Sequence, residues 1–513
     1  MNLVLKNGKY LDVLKKEFVL GDIYIKDGKI VDYSLDMESA RVINLAGKYI
    51  VPGFVDGHIH LESSIISPED FAKLVCLHGT TTVVTDPHEI ANVCGTNGIK
   101  WMMQKTKNLP IDVYFVVSSC VPATPFDESA YTLDSEKIKE VFDWNDKRIL
   151  GLAEMMNYPG VIYQDDDIMK KIRYAKEYGG VIDGHAPGLS GDDLRKYISA
   201  GIMSDHECST FLEAKEKLEV AKELNQKFYI MIREGTAAKN LEALVPLLKE
   251  DIYTDNLMFA TDDKHPEEIN KEGHIDNIIR KAIRLGVKPE IAYTVASYNA
   301  CKYFGLNQIG SLEIGKDASM VILDDIYDCK ISSVIKNGRF LNEEIIASYK
   351  NTVDTSLDKM VRNSIHTDYI NESDISDRKS PVIELVANEI ITRYGGISDK
   401  VDIQNDIIKI VVVEPHKNTH HIGVAYLKGM GLKEGAIGTT VAHDSHYMIL
   451  AGANDADIVM AANEIIKMHG GKVVCKDGKV IKKMALPIAN LMTDNDYNTV
   501  IKDMKELKIY RQI

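Results

Sequence analysis

Apolar positions along this chain fall into two rhythms. Near the N-terminus, short apolar runs are cut by Asn7-Gly8 and Asp27-Gly28. Such pairs accept the positive φ angles of type I′ hairpin turns, so residues 1–50 read as short strands joined by tight turns. The style returns at 309–345, where Gly310, Gly315 and Asn337-Gly338 space further short strands. The two flanks are expected to pair into one small β-sandwich domain. Between them, over 51–308, apolar runs at 83–84, 113–117, 149–152, 181–182, 228–232 and 257–260 alternate with helical spacing at 165–178, 209–224 and 275–285. Repeated β-then-α units over about 250 residues predict an α/β fold of the (β/α)8 barrel type. A doubly wound open sheet gives the same periodicity and is the rival.

From 346 the chain turns polar, with Asp354, Asp358, Asn371, Glu372 and Asp374 suggesting an irregular connector. A strand at 407–413 and a helix at 455–468 follow, so 346–513 reads as a separate C-terminal α/β domain. The length of 513 residues calls for two or three domains in any case. A formal charge of -15, with no basic stripe, argues against nucleic acid as a partner. No apolar run approaches the roughly 20 residues that cross a bilayer, and the first residues lack a signal-peptide pattern. Seven cysteines without a CxxC pair fit a reducing compartment, and a cytoplasmic protein is expected.

The chemistry concentrates at the ends of the apolar runs. Six of fifteen histidines, His58, His60, His88, His185, His206 and His265, lie close to predicted strand ends. In (β/α)8 barrels, active sites form at the C-terminal strand ends. His58 and His60 make an HxH pair, and residues two apart on a strand share a face, so both rings can reach one metal ion. Glu154 closes G-L-A-E, His185 follows V-I-D-G, His206 follows M-S-D and Asp262 follows F-A-T. Any one of these could be a polar residue capping a strand. Together, four histidines and two carboxylates suit two divalent ions with a carboxylate between them. There is no P-C-x-x-C of the cytidine-type zinc deaminases and no phosphate-binding loop.

Longer motifs carry a resemblance. H-I-H-L-E-S-S at 58–64, G-T-T-T-V-V-T-D-P-H-E-I-A-N-V at 79–93, E-M-M-N-Y-P-G-V at 154–161 and G-H-A-P-G at 184–188 resemble adenine deaminases of the metal-dependent amidohydrolase superfamily. So do S-D-H-E at 204–207, R-E-G-T at 233–236, T-D-D-K-H-P at 261–266 and G-A-I-G-T-T-V-A-H-D-S-H at 435–446. The resemblance spans nearly the whole chain. It implies metal ligands His58, His60, Glu154, His185, His206 and Asp262, with Glu154 where related hydrolases of cyclic amides carry a modified lysine.

It further implies hydrolysis of adenine to hypoxanthine and ammonia, in purine salvage, by a hydroxide formed on the metal. Asp262 is the expected base, and Glu62, Asp86, His88, Glu89, Glu207 and Asp263 are candidates to protonate N1. Among these, Asp86 and Asp263 read better as supports for the ligands. Arg233 and Glu234 are candidates to contact the purine, or members of a structural salt bridge. Manganese is the expected metal, with iron or zinc as alternatives, and a homo-oligomer, dimer or higher, is the expected state. His443, Asp444 and His446 could close the site, bind another ion or cap a turn. The competing readings are a hydrolase of a cyclic amide or imide, a silent purine-binding barrel, and a C-terminal domain that binds independently.

Overall fold

Eight short strands, most of them buried on both faces, set the centre of the chain. The computed structural model describes residues 2–32, 40–387 and 391–510. The strands, here called first to eighth, are Phe54–Ile59, Thr80–Thr85, Asp112–Val117, Ile149–Met155, Val181–Gly184, Ser204–Asp205, Tyr229–Arg233 and Leu257–Ala260. Phe54–Ile59, Thr80–Thr85, Tyr229–Arg233 and Leu257–Ala260 are buried at every position. That is the signature of parallel strands covered by helices rather than half-wet antiparallel ones.

The first five strands pair in parallel in sequence order, and the last three do the same. Both seams between the two sets are bridged. Asp262 N–H donates to His58 O at 2.9 Å, and His60 N–H donates to Asp262 O at 3.3 Å. On the other side, Met203 N–H donates to Ile182 O at 2.8 Å, and Gly184 N–H donates to the Ser204 hydroxyl at 3.2 Å. An open doubly wound sheet would leave its first strand far from its last; here they meet, and the parallel sheet is curled. Its interior is filled by Val55, Val84, Val116, Tyr229, Met231 and Met258, with Tyr303 and Phe304 of the helix Tyr298–Phe304 packed against them.

The flanks form one eight-stranded sheet. Strand Met320–Asp325 lies antiparallel to Tyr49–Pro52, with Met320 opposite Pro52 and Leu323 opposite Tyr49. The sheet forks at Leu3–Asp12, whose residues 3–6 pair with 41–44 while Lys9 and Tyr10 pair with Tyr49 and Ile50. The forked sheet surrounds one small core that includes Leu3, Ile25, Ile50, Met320 and Ile335. Asn7-Gly8 is not the expected hairpin turn. Asn7 has φ 58° inside the strand, and the register to Glu17–Lys26 shifts between Leu5 and Gly8, which makes it a bulge. Asp27-Gly28 does form the turn between Glu17–Lys26 and Lys29–Val31.

The C-terminal part is a second eight-stranded sheet, mostly antiparallel. Helix Asp455–Lys467 covers one face, with Ile458, Ala461, Ala462 and Ile465 against Val411, Val413, Leu450 and Val473. Residues Leu486, Ile488, Leu491, Met492 and Val500 join the core that surrounds the curled sheet. The polar connector is likewise held down. Helix Thr355–Val361 buries Leu357 and Val361 in that core, and Trp101 Nε1 donates to Asp358 at 2.9 Å.

Candidate active site

The C-terminal ends of the curled sheet bring the predicted residues together. His58 lies in the first strand and His60 just after it; Glu154 lies in the fourth, and His185, His206 and Asp262 follow the fifth, sixth and eighth. Glu154 sits at the centre. Its Oε1 faces His60 Nε2 at 3.3 Å, His88 Nδ1 at 3.5 Å and His58 Nε2 at 3.8 Å. Its Oε2 faces His185 Nδ1 at 2.6 Å and His206 Nε2 at 3.1 Å. Asp262 Oδ1 is 3.2 Å from His60 Nε2 and 3.8 Å from His58 Nε2. One carboxylate thus lies between two sets of imidazoles.

The ring nitrogens are oriented for ligation. His60 Nδ1 lies 3.0 Å from the Asp86 carbonyl, which fixes the tautomer and leaves Nε2 bare towards Glu154 and Asp262. Both nitrogens of buried His58, and Nδ1 of buried His206, have no hydrogen-bond partner. Buried polar atoms are nearly always satisfied, so the bare His58 Nε2, which faces Glu154 and Asp262, fits a divalent cation there. Burial would lift the Asp262 carboxyl, yet His60, His206 and His58 hold it well below the usual carboxylate range. Asp262 also stands at φ 58°, a left-handed conformation that costs a non-glycine residue and clusters at functional sites. Among the clustered residues, His185 keeps about a quarter of its side chain accessible, whereas the side chains of His58, His60, Glu154 and His206 are buried.

Behind these residues lies a supporting layer only partly visible in the sequence. Asp86 accepts the Ser118 hydroxyl at 2.7 Å and faces His88 Nδ1 at 3.2 Å. Ser119 Oγ donates to the Glu154 carbonyl at 2.5 Å. Lys217, fully buried, donates to Asp205 and to the Ala186 carbonyl, each at 2.7 Å, and so ties down the residues beside His206 and His185. Asp56 accepts from Thr261 N–H at 3.0 Å and holds the chain just before Asp262. Lys217 was legible only as the i+4 partner of Glu213; nothing in the sequence ties it to Asp205.

The other candidates divide. His88 joins His60, Asp86 and Glu154 within reach of one ion. Glu207 lies 3.4 Å from His206 Nε2 and 3.7 Å from His185 Nδ1 and is held by the Arg233 guanidinium. Arg233 also donates to Asp262 Oδ2 at 2.5 Å, which makes a salt bridge. Glu234 pairs with Lys281 Nζ at 2.8 Å. Glu62 accepts from Ile90 N–H at 3.1 Å and keeps its second oxygen unpartnered; burial pushes its carboxyl up to about 7. Asp263 accepts from Ser63 Oγ at 2.5 Å, a supporting bond. His265 lines a different cavity with Val441, Lys472 and Met504.

Glu89 reaches across to the C-terminal sheet. Its carboxylate takes His443 Nδ1 at 2.5 Å on one oxygen and His446 Nε2 on the other. Burial would raise the Glu89 carboxyl, but His443, His446 and His88 hold it well below the usual range. Its charge in turn lifts His443 to about 9.

Histidines and carboxylates at the C-terminal ends of a curled parallel sheet define a hydrolase site of the amidohydrolase class. Residues 49–341 match the amidohydrolase family. Residues 385–513 match the adenine deaminase C-terminal domain, and the chain belongs to the adenine deaminase family of amidohydrolases. It is 39% identical over 524 residues to an adenine deaminase of Clostridium acetobutylicum, covering 99% of this chain and 89% of that protein. It is also 39% identical over 526 residues to one of Thermosipho melanesiensis, covering 99% and 89%. Among solved structures it is similar to an enamidase (16% identity, TM-score 0.50, covering 66% of this chain and 95% of that one). A dihydropyrimidinase from Brevibacillus agri is equally similar (17% identity, TM-score 0.50, covering 66% and 95%). The likeness to these structures is one of fold.

Proposed function

We propose that this protein hydrolyses adenine to hypoxanthine and ammonia with a pair of divalent cations, manganese first among them. The observation that carries the reading is the Glu154 carboxylate lying between His58, His60 and His88 on one oxygen and His185 and His206 on the other. The full-length likeness to adenine deaminases supplies the substrate. In this reading the eight strands within 51–308 are a (β/α)8 barrel, 1–50 plus 309–345 its small β domain, and 346–513 a C-terminal domain.

His58, His60, Glu154, His185, His206 and Asp262 would hold the cations, with His88 beside them. When bound, such ions bring the pKa of water towards about 7, which makes it a usable nucleophile at neutral pH. Asp262 takes the proton of the attacking water and passes it towards the departing amine. Arg233 grips Asp262 Oδ2 and so turns Oδ1 into the cluster, where the proton is collected. The pairing with Glu207 keeps that guanidinium in place and puts the Glu207 carboxylate beside His185, the most accessible of the metal-facing residues.

The test is product analysis. Protein purified without chelator and resupplied with manganese is expected to convert adenine to hypoxanthine with one equivalent of ammonia and to leave cyclic amides and imides intact. Ring-opening of a cyclic imide with adenine untouched would overturn the substrate and leave the metal site standing.

A further inference from the structure

The connection between strands Ala436–Thr439 and Met448–Gly452 leaves the C-terminal sheet and ends on the candidate site. It is braced at both ends. Thr440 Oγ1 donates to the Asn490 carbonyl at 2.6 Å, and His446 N–H donates to Ala442 O at 2.8 Å. His416 Nε2 lies 3.2 Å from the His446 carbonyl. Two histidines from this connection, His443 and His446, then take the two oxygens of buried Glu89, which stands in the first turn of helix His88–Lys105. The residue before Glu89 is His88, and between the two clamping histidines lies Asp444.

The result is a specific juxtaposition. The His88 ring has two ends. Nδ1 faces Asp86 and Glu154, inside the group that could hold an ion. Nε2 is buried, has no hydrogen bond, and has Asp444 Oδ1 3.6 Å away. The other carboxylate within reach, Glu89 Oε1 at 3.2 Å, is shared with His443 Nδ1.

Resting on the metal-site reading above, we infer that Asp444 is a positioning residue of the metal centre, supplied by the C-terminal sheet to the outer nitrogen of His88, with the Glu89–His443–His446 clamp setting its place. A carboxylate on the far nitrogen of a metal-facing imidazole fixes the ring and raises its basicity, and losing one weakens metal binding by about 10–100-fold. The C-terminal sheet thereby becomes part of the metal site rather than a neighbour of it. The same cluster of Glu89, His443 and His446 is within reach of one ion, so the number of ions bound separates a clamp from a metal site.

Competition for manganese against a chromophoric chelator, on full-length apoprotein, tests this without substrate. Wild type is expected to bind two ions. Asp444→Asn should weaken one of them about 10–100-fold, Asp444→Glu should recover most of that loss, and Glu89→Gln should weaken the same ion while keeping the count at two. Near-ultraviolet circular dichroism and the thermal midpoint of each apoprotein check that the variants fold. Equal affinities for both ions in wild type and folded Asp444→Asn would overturn the proposal. So would a wild-type count of three that falls to two in Glu89→Gln, since the cluster would then be a metal site and not a clamp. Wild type that binds no ion would instead bring down the metal-site reading itself.

Discussion

Asp262 shows how one residue gathers several constraints. Its main-chain amide and carbonyl close the seam between the first and eighth strands, its φ is left-handed, and its two oxygens are divided between Arg233 and the histidines. Asparagine keeps the shape and removes the charge. Asp262→Asn is therefore expected to lower kcat by about 10²–10⁴-fold, with the fold retained by circular dichroism. Activity near wild type in a metal-loaded Asp262→Asn would remove Asp262 from the base role. The clustering of His58, His60, Glu154, His185, His206 and Asp262 was legible because each stands at the end of an apolar run that forms a strand. Glu89 was legible only as a local candidate, because its partners lie 354 and 357 residues further along the chain. Arg233 was undecided between ligand and salt bridge, since sequence does not say which carboxylate a guanidinium meets.

At the scale of elements, Glu154 lies in the fourth strand and His185 just after the fifth, and the approach of these two strands depends on Gly151. A Cβ there would stand 2.1 Å from the Val181 carbonyl, a main-chain atom that cannot step aside. Gly151→Ala is expected to destabilise the protein by about 1–3 kcal/mol or more. It should also loosen metal binding, because Glu154 and His185 are displaced together. An unchanged thermal midpoint would contradict this packing argument. The periodicity of the middle region predicted strands and helices well, because buried parallel strands leave short, nearly uninterrupted apolar runs. It could not separate curled from open sheets, since closure lies in contacts such as Asp262 with His58, about two hundred residues apart. The turn code misled at Asn7-Gly8, where the same positive φ serves a bulge, and where the strand changes partner from 41–44 to 49–50.

At the scale of the whole molecule, the C-terminal sheet is joined to the curled sheet by a shared core and by the Glu89 clamp. A cavity of about 380 Å³ at this junction is lined by His265, Ile437, Val441, Lys472, Met504 and Leu507, with Lys508 at its side. Burial, helped by the charge of Lys508, pushes the Lys472 ammonium down to about 8. A lysine in the unfolded chain titrates near 10.4. Below pH 8 both states hold the proton and the native state bears the full cost; between pH 8 and about 10.4 the unfolded state binds more protons, so stability rises with pH. Lys472→Met is therefore expected to be more stable than wild type at pH 7, by about 1–2 kcal/mol. That gap should close as the pH passes from 8 to 10. A gap that stays constant across this window, followed by thermal unfolding, would contradict the assignment. None of this was readable beforehand, because Lys472 becomes half-buried only when two parts of the chain meet.

The central claim is that two cations held by these residues make adenine hydrolysis possible. The most direct measurement is ammonia release from adenine as manganese is added back to apoprotein, beside His58→Ala/His60→Ala. No release is expected from apoprotein, then a rise that levels off at two equivalents, and none in the double variant at any manganese concentration. Full activity in metal-free protein, or in the double variant, would contradict it.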